Sequence, residues 1–390
     1  MSDLKEHQLV KVGNGEQMKL SLWQKPNPGG IPVLLLHGAS ANHRTFLNPV
    51  ADNGDPRCLA DFLFAKNFEP WLLDWRGNGR IELSDLQRLR DQLDFDWTAK
   101  IDIPMALEKI VEVSHPEQIC AVGHCMGAAT LAQAIARGYV GKPQRLTHVV
   151  LMAIGLFYEP ALDGRLKSQD HALERLWAGN SAQCVAIDPR PNKTWPKEFD
   201  EIYGNWPASL RPHQQPESSM DEICNKVSFM FGQPYRERNL HPEAHRGTFL
   251  EDQFGAIPLR MYLQCAQNIR RGWAAEFGAM NDDDRLIDHA AQERFADLER
   301  VTLLTGAKNE IWHRDSIDRM YEWLSRSRLG RLNSHREILR DYAHQDLLWG
   351  RTAYLDVFPM ILNGLASPDG ASDGGTDRRP PLPPRRAARG

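Results

Sequence analysis

Short, continuous apolar runs alternate with stretches of helical periodicity along most of this chain. Residues Ile31 to Leu36 form one such run and stop at His37-Gly38, as a central strand covered on both faces would. Phe68 to Asp74 repeats the pattern and ends in the glycine-rich WRGNGR, with Leu59 to Lys66 able to supply the connecting helix. Apolar residues at helical spacing over Ile101 to Val113 lead through His115-Pro116 to a strand at Gln118 to Val122. A run of strong helix formers, AATLAQAIARG, is closed by Gly138, and a strand at His148 to Ile154 follows. Later come a strand at Arg300 to Thr305, a helix from about Ser316 to Arg326, a strand around Glu337 to Asp341 and a last helix from about Leu347 to Leu362. Met18 to Trp23, ahead of the PNPGG turn, reads as an edge strand. This alternation predicts an α/β fold with a mostly parallel central sheet and helices on both faces.

The rhythm breaks between about 155 and 295. That stretch holds four tryptophans (Trp177, Trp195, Trp206 and Trp273), the proline-rich WPASLRPHQQPESS, and helical patterns without clear strands. It reads as a helical cap inserted over the carboxyl edge of the sheet, where ligand sites of such sheets lie. The division is therefore 1–154 for the first part of the core, 155–295 for the cap, 296–366 for the second part and 367–390 for a tail. Five arginines flank PPLPP in that tail, which cannot build a core and reads as disordered.

Charge removes some function classes. Lys+Arg and Asp+Glu number 47 and 51, for a net charge of -4, so no global basic field favours nucleic acid or an anionic membrane. The start, MSDLKEHQLVKVGNG, lacks a signal-peptide pattern, and no long apolar stretch predicts a spanning helix. A cytoplasmic protein without stable membrane insertion is the expectation. The six cysteines have no CxxC or metal spacing and read as free thiols.

The chemistry concentrates where the strand ending at Val122 meets Gly123-His124-Cys125-Met126-Gly127 and then a helix. Strand, tight turn and helix around G-x-nucleophile-x-G form the nucleophile elbow of the α/β-hydrolase fold, and Gly123 and Gly127 make room for it. The elbow lifts the Cys125 thiol to a helix N-terminus, whose unpaired N–H groups and dipole favour a thiolate. Met126 N–H is one candidate oxyanion donor, and Ala39 or Ser40 of HGASAN supplies the second. His344, in DYAHQDLLWG, follows the nucleophile in the order this fold requires and is the candidate base. His124 reads as buried behind the elbow, and His37 as a shaper of the oxyanion loop.

Three side chains in LLTGAKNEIWHRDS compete to orient His344. Asn309 stands where an acid normally follows the strand and would act as a neutral amide; Glu310 could reach the imidazole instead; Asp315 reads equally well as a helix cap. Other constellations are weaker. His241-Pro242-Glu243-Ala244-His245 lacks HExxH and reads as a surface turn, Asp282-Asp283-Asp284 lacks the rest of a calcium loop, and WRGNGR lacks GxGxxG.

From about Val33 to Leu362 the chain resembles α/β-hydrolase-like proteins related to the hydrolase domain joined to GMC oxidoreductases of the cholesterol oxidase type. The resemblance is carried by HGASANHRTF (37–46), FDWTAKIDIPMAL (95–107), GHCMG (123–127), CNKVSFMFGQPYRERNL (224–240), YEWL (321–324) and YAHQDLLWGRTAYLDVFPMIL (342–362). It implies Cys125 at the elbow, His344 as base and an asparagine at 309, with Glu310 a departure from the family's pattern. No flavin-binding fingerprint is present, so no oxidase activity is implied. The expected function is hydrolysis of a hydrophobic ester or thioester through an acyl-cysteine, without cofactor or metal and with a small acyl substrate as partner. An acyltransferase using the same intermediate and a non-catalytic binding protein are the alternatives, and a homo-oligomer is left open.

Overall fold

The apolar runs become strands because almost no side chain in them reaches solvent. The computed structural model describes residues 4–13, 16–48, 57–169, 171, 174, 186–191, 193, 195–197, 219–235, 239–240, 249–279 and 286–366. Its strands are β1 (Lys5–Gly13), β2 (Glu16–Gln24), β3 (Ile31–Leu36), β4 (Phe68–Asp74), β5 (Ile119–His124), β6 (Leu146–Met152), β7 (Ala186–Ile187), β8 (Ile257–Pro258), β9 (Arg300–Gly306) and β10 (Ser334–Leu339). Eight of them form one sheet in the order β1-β2-β4-β3-β5-β6-β9-β10. From β4 to β10 every pairing is parallel, and the β1–β2 and β2–β4 pairings are antiparallel.

Alternation along each parallel strand feeds two cores. Leu34 and Leu36 of β3 and Ala121 of β5 join one, against α2 (Ile103–Ser114) and α3 (Met126–Ala136). Val33, Leu35 and Val122 join the other, against α1 (Leu59–Phe64) and α7 (Phe358–Leu365). At roughly 1.5–3 kcal/mol for each large apolar side chain buried, these two layers dominate the stability. The chain leaves β3 toward β4 on one side and reaches β5 on the other, so the loops after β3 and β5 flank a crevice at the carboxyl edge.

The described part of the 155–295 stretch includes α4 (Ser219–Phe231) and α5 (Leu259–Arg271). It is bonded to the loops at that edge. Ser40 Oγ donates to Gly255 O at 2.5 Å, Asn42 Nδ2 to Asp252 O at 2.8 Å, Arg260 Nε to Asp94 Oδ2 at 2.8 Å and Gln345 N to Pro234 O at 2.7 Å. WRGNGR closes the same edge: a Cβ at Gly79 would stand 2.3 Å from Ser40 O.

Three details differ from the sequence reading. Met18 to Trp23 is not the edge, because β1 pairs along its whole outer side from Lys5↔Gln24 to Gly13↔Glu16. The long helix from Leu347 to Leu362 is three short ones, Asp346–Trp349, Ala353–Asp356 and α7, interrupted where Gly350 is extended and restarted with Pro359 in the first turn. The inserted stretch does contain strands, the small antiparallel pair β7–β8. The tail, Trp177, Trp206, most of the proline-rich stretch, His241 to His245 and Asp282 to Asp284 lie outside the described residues. No helix among the described residues is long and apolar enough to cross a membrane.

Candidate active site

Cys125 sits between β5 and α3 with φ 54° and ψ -129°, a strained conformation for a side chain of any size. Steric demand fixes its neighbours. A Cβ at Gly123 would lie 2.5 Å from Ala128 Cα, and one at Gly127 would lie 2.3 Å from Leu36 O and 2.4 Å from His37 O. The turn is then held by Cys125 N donating to Met152 O at 3.1 Å, and Cys125 O accepting from Ala128 N at 2.9 Å and Ala129 N at 3.1 Å.

The loop after β3 packs beside the elbow. Ser40, at φ 65°, donates its N–H to Gly77 O at 3.0 Å, which removes it as an oxyanion donor. Ala39 lines the same pocket as Cys125 and Met126, and its N–H has no acceptor among the described residues. His37 is bonded within this loop: its Nδ1 lies 2.7 Å from Gly38 O, and its own carbonyl accepts from Trp75 Nε1 at 3.0 Å. Burial drives His37 down to about 4, so the ring is neutral and Nδ1 can donate.

His344 arrives on the loop after β10 and lines the pocket with Cys125. His124 supports it from behind, with Nε2 3.1 Å from His344 O and the two ring centroids 4.6 Å apart. The fully buried Asp346 pins the turn, accepting from Ala343 N at 2.9 Å and from Asn239 Nδ2 at 2.7 Å. Asn239 Nδ2 also donates to Asp341 O at 2.7 Å. His344 Nδ1 is buried with no hydrogen-bond partner among the described residues.

None of the three candidate orienting residues is seen bonded to that nitrogen. Asn309 Oδ1 accepts from Ile311 N at 3.0 Å and Trp312 N at 3.1 Å, and its Nδ2 points to Thr305 Oγ1 at 3.5 Å. Both lone pairs of the amide oxygen are committed, so none is left for an imidazole N–H. Glu310 is exposed on the next residue. Asp315 opens α6 (Asp315–Leu324), exposed, with its carboxylate 3.1 Å from His313 Nδ1.

The pocket holds about 520 Å³ counting its open mouth. Its walls are apolar: Val227 and Phe231 of α4, Phe254, Ile257, Phe95, Ile311 and Trp312, with Tyr262 and Cys265 of α5. The Tyr262 hydroxyl is turned away to donate to Met230 O. These walls set the electrostatics. Burial pushes the Cys125 thiol up to about 11 despite the Trp312 side chain and the Met126 amide, which pull it down. Burial, reinforced by His124, holds His344 well below the usual histidine value. At neutral pH the pocket therefore holds a protonated thiol and a neutral imidazole, not the thiolate expected from the helix N-terminus alone; desolvation outweighs the dipole.

Residues 33–349 match the Alpha/beta hydrolase family along their length. The chain belongs to that family. Among solved structures, this α/β hydrolase is similar to one described as "Lipase (Open form)", with TM-score 0.54 and 16% identity over 93% of this chain and 98% of that one. It is also similar to the monoacylglycerol lipase of Paleococcus ferrophilus (TM-score 0.49, 13% identity, 89% and 100% covered). A third is the thioesterase domain from the curacin biosynthetic pathway (0.46, 14%, 92% and 99%). At such identities the likeness is one of fold. No curated protein matches the sequence significantly.

Trp312 lines the pocket, and Asp346 and Asn239 hold the turn that carries His344, without having been singled out in the sequence. Asp346 had a signal, a carboxylate two residues after the candidate base at a helix start. Trp312 had only its place after β9, and Asn239 only its place in the 224–240 segment.

Proposed function

We propose that the protein hydrolyses hydrophobic carboxylic esters or thioesters through an acyl-Cys125 intermediate. The observation that carries this reading is the convergence on one apolar pocket of a strained elbow thiol, an imidazole and the Ala39 amide, which has no acceptor among the described residues. Because thiol and imidazole are both neutral at rest, His344 takes the Cys125 proton as the sulfur attacks the acyl carbonyl, rather than beforehand. Met126 N–H and Ala39 N–H receive the oxyanion. Collapse of the tetrahedral species breaks the bond to the leaving group, to which His344 returns the proton. Water, deprotonated by the same imidazole, then releases the carboxylic acid and restores the thiol.

The finer likeness, to hydrolase domains joined to GMC oxidoreductases, remains part of this proposal and rests on its sequence segments, two of which are neighbours in the fold. Residues 224–240 and 342–362 meet through Gln345 N to Pro234 O at 2.7 Å and Arg351 N to Asn239 O at 2.8 Å.

The test is a panel of p-nitrophenyl esters and N-acetylcysteamine thioesters of increasing acyl length, with and without added alcohol, amine or thiol acceptors. Free acid as the product, with kcat/KM rising with chain length, is the result predicted. Transfer product growing at the expense of free acid makes the protein an acyltransferase. No turnover and no acyl adduct with any of the panel overturns catalysis and leaves a binding protein.

A further inference from the structure

We propose that the indole N–H of Trp312 is a catalytic donor to the Cys125 sulfur, and that Asn309 is the positioning residue that sets it there. The proposal rests on Cys125 being the nucleophile. Trp312 is 3% exposed, and among the described residues no acceptor takes its buried Nε1–H. An indole nitrogen is donor only, and a buried donor left unpaired calls for an explanation. The pocket wall shared by Trp312 and Cys125 supplies one. The Trp312 side chain and the Met126 amide both pull the Cys125 thiol down against burial, and the indole N–H that makes no hydrogen bond at rest among the described residues is free to take the sulfur once it is charged.

The ring is held from three directions. Tyr158 meets it edge-on, with centroids 5.3 Å apart at 81°, and Pro160 pairs with its backbone across a β-bridge. Asn309 Oδ1 binds the peptide N–H groups of Ile311 and Trp312. The asparagine thus stands after β9, where an acid normally faces the base, but organises the loop on the nucleophile's side. When His344 removes the thiol proton, the electron pair stays on sulfur. There it is received by two fixed N–H donors that neither titrate nor reorganise in the accessible pH range.

The test reads the thiol without any substrate. Iodoacetamide alkylation of Cys125 is followed by the mass of its peptide from pH 7 to 10, in wild type, Trp312→Phe and Trp312→3-benzothienylalanine, the last keeping the bicyclic shape but not the N–H. Loss of the donor is expected to slow alkylation at pH 8 about threefold to tenfold, because a rise in thiol pKa is partly offset by the greater nucleophilicity of a more basic thiolate. Asn309→Ala should follow in the same direction, and Asn309→Asp, which keeps an acceptor for both amides, should stay nearer wild type. A benzothienylalanine variant that alkylates at the wild-type rate across the pH range overturns the proposal. Slowed alkylation in a protein that turns over no ester or thioester would uphold the donor and refute the hydrolase reading, so the two fail separately.

Discussion

The elbow after β5 and the loop after β9 face the same pocket and are built by opposite means. At the elbow, backbone crowding leaves no choice: Gly123 and Gly127 stand where any Cβ would strike main-chain atoms. The β9 loop is open to many sequences, and its shape depends on which polar partner one side chain selects. Asn309 selects the amides of Ile311 and Trp312. Steric necessity leaves a motif that can be read in one dimension. Hydrogen-bond choice does not, because an asparagine next to an imidazole and one folded onto its own backbone have the same letter.

The comparison predicts unequal sensitivity. Gly127→Ala places a methyl against the Leu36 and His37 carbonyls, atoms of a central strand and its loop that cannot move aside. It should cost about 3 kcal/mol or more in denaturant unfolding, and a variant as stable as wild type would show that the elbow is not crowded. Asn309→Ala leaves two buried amides unpaired and should cost about 1–3 kcal/mol. The same change should lower kcat/KM about tenfold, with Asn309→Asp recovering most of the stability. If alanine and aspartate behave alike, the loop is not held by that oxygen.

A change spread over several groups concerns the histidines beneath the site. His37 and His124 are each held down at about 4 by burial, and His344 well below its usual value. Below pH 6.5 the unfolded chain binds protons at these positions that the native state refuses, so their contribution is full above 6.5 and falls as pH drops toward 4. Asp96 works in the opposite sense: burial and the nearby Asp94 raise it to about 7, so its protonation favours the native state as pH falls. At these four groups, three losses against one gain leave a decrease of about 2 kcal/mol between pH 7.5 and 5.5, and His148 and His335, also lowered by burial, act in the same direction as the losses. Urea unfolding at the two pH values measures it, and equal stabilities would mean that these rings are solvated.

Much of the scaffold was legible. Ile31 to Leu36 and Phe68 to Asp74 are strands with the bounds that their apolar runs suggested, because nearly every residue in them is buried and none is optional. The first strand has no such apolar run, since Lys5–Gly13 is a mostly polar segment at the outer edge of the sheet, although Asn14-Gly15 between two alternating segments is a usable turn signal. Of the candidate site, the meeting of Cys125, Met126 and His344 at one pocket was readable from motif and chain order. That the Ser40 N–H is taken, leaving Ala39 as the proposed oxyanion donor, was not, because it depends on Gly77, which lies in a loop after a different strand. Nor was the protonation state of Cys125, which follows from how much apolar matter from distant segments surrounds the thiol.

The central claim is that Cys125 carries the acyl group. Intact-mass measurement after brief exposure to a p-nitrophenyl acyl ester, followed by peptide mapping, tests it most directly in wild type and Cys125→Ala. The account predicts a single acyl increment on the peptide containing Cys125, discharged by hydroxylamine and absent from the variant. An increment that persists unchanged in Cys125→Ala, or that maps to another residue in the wild type, would contradict it.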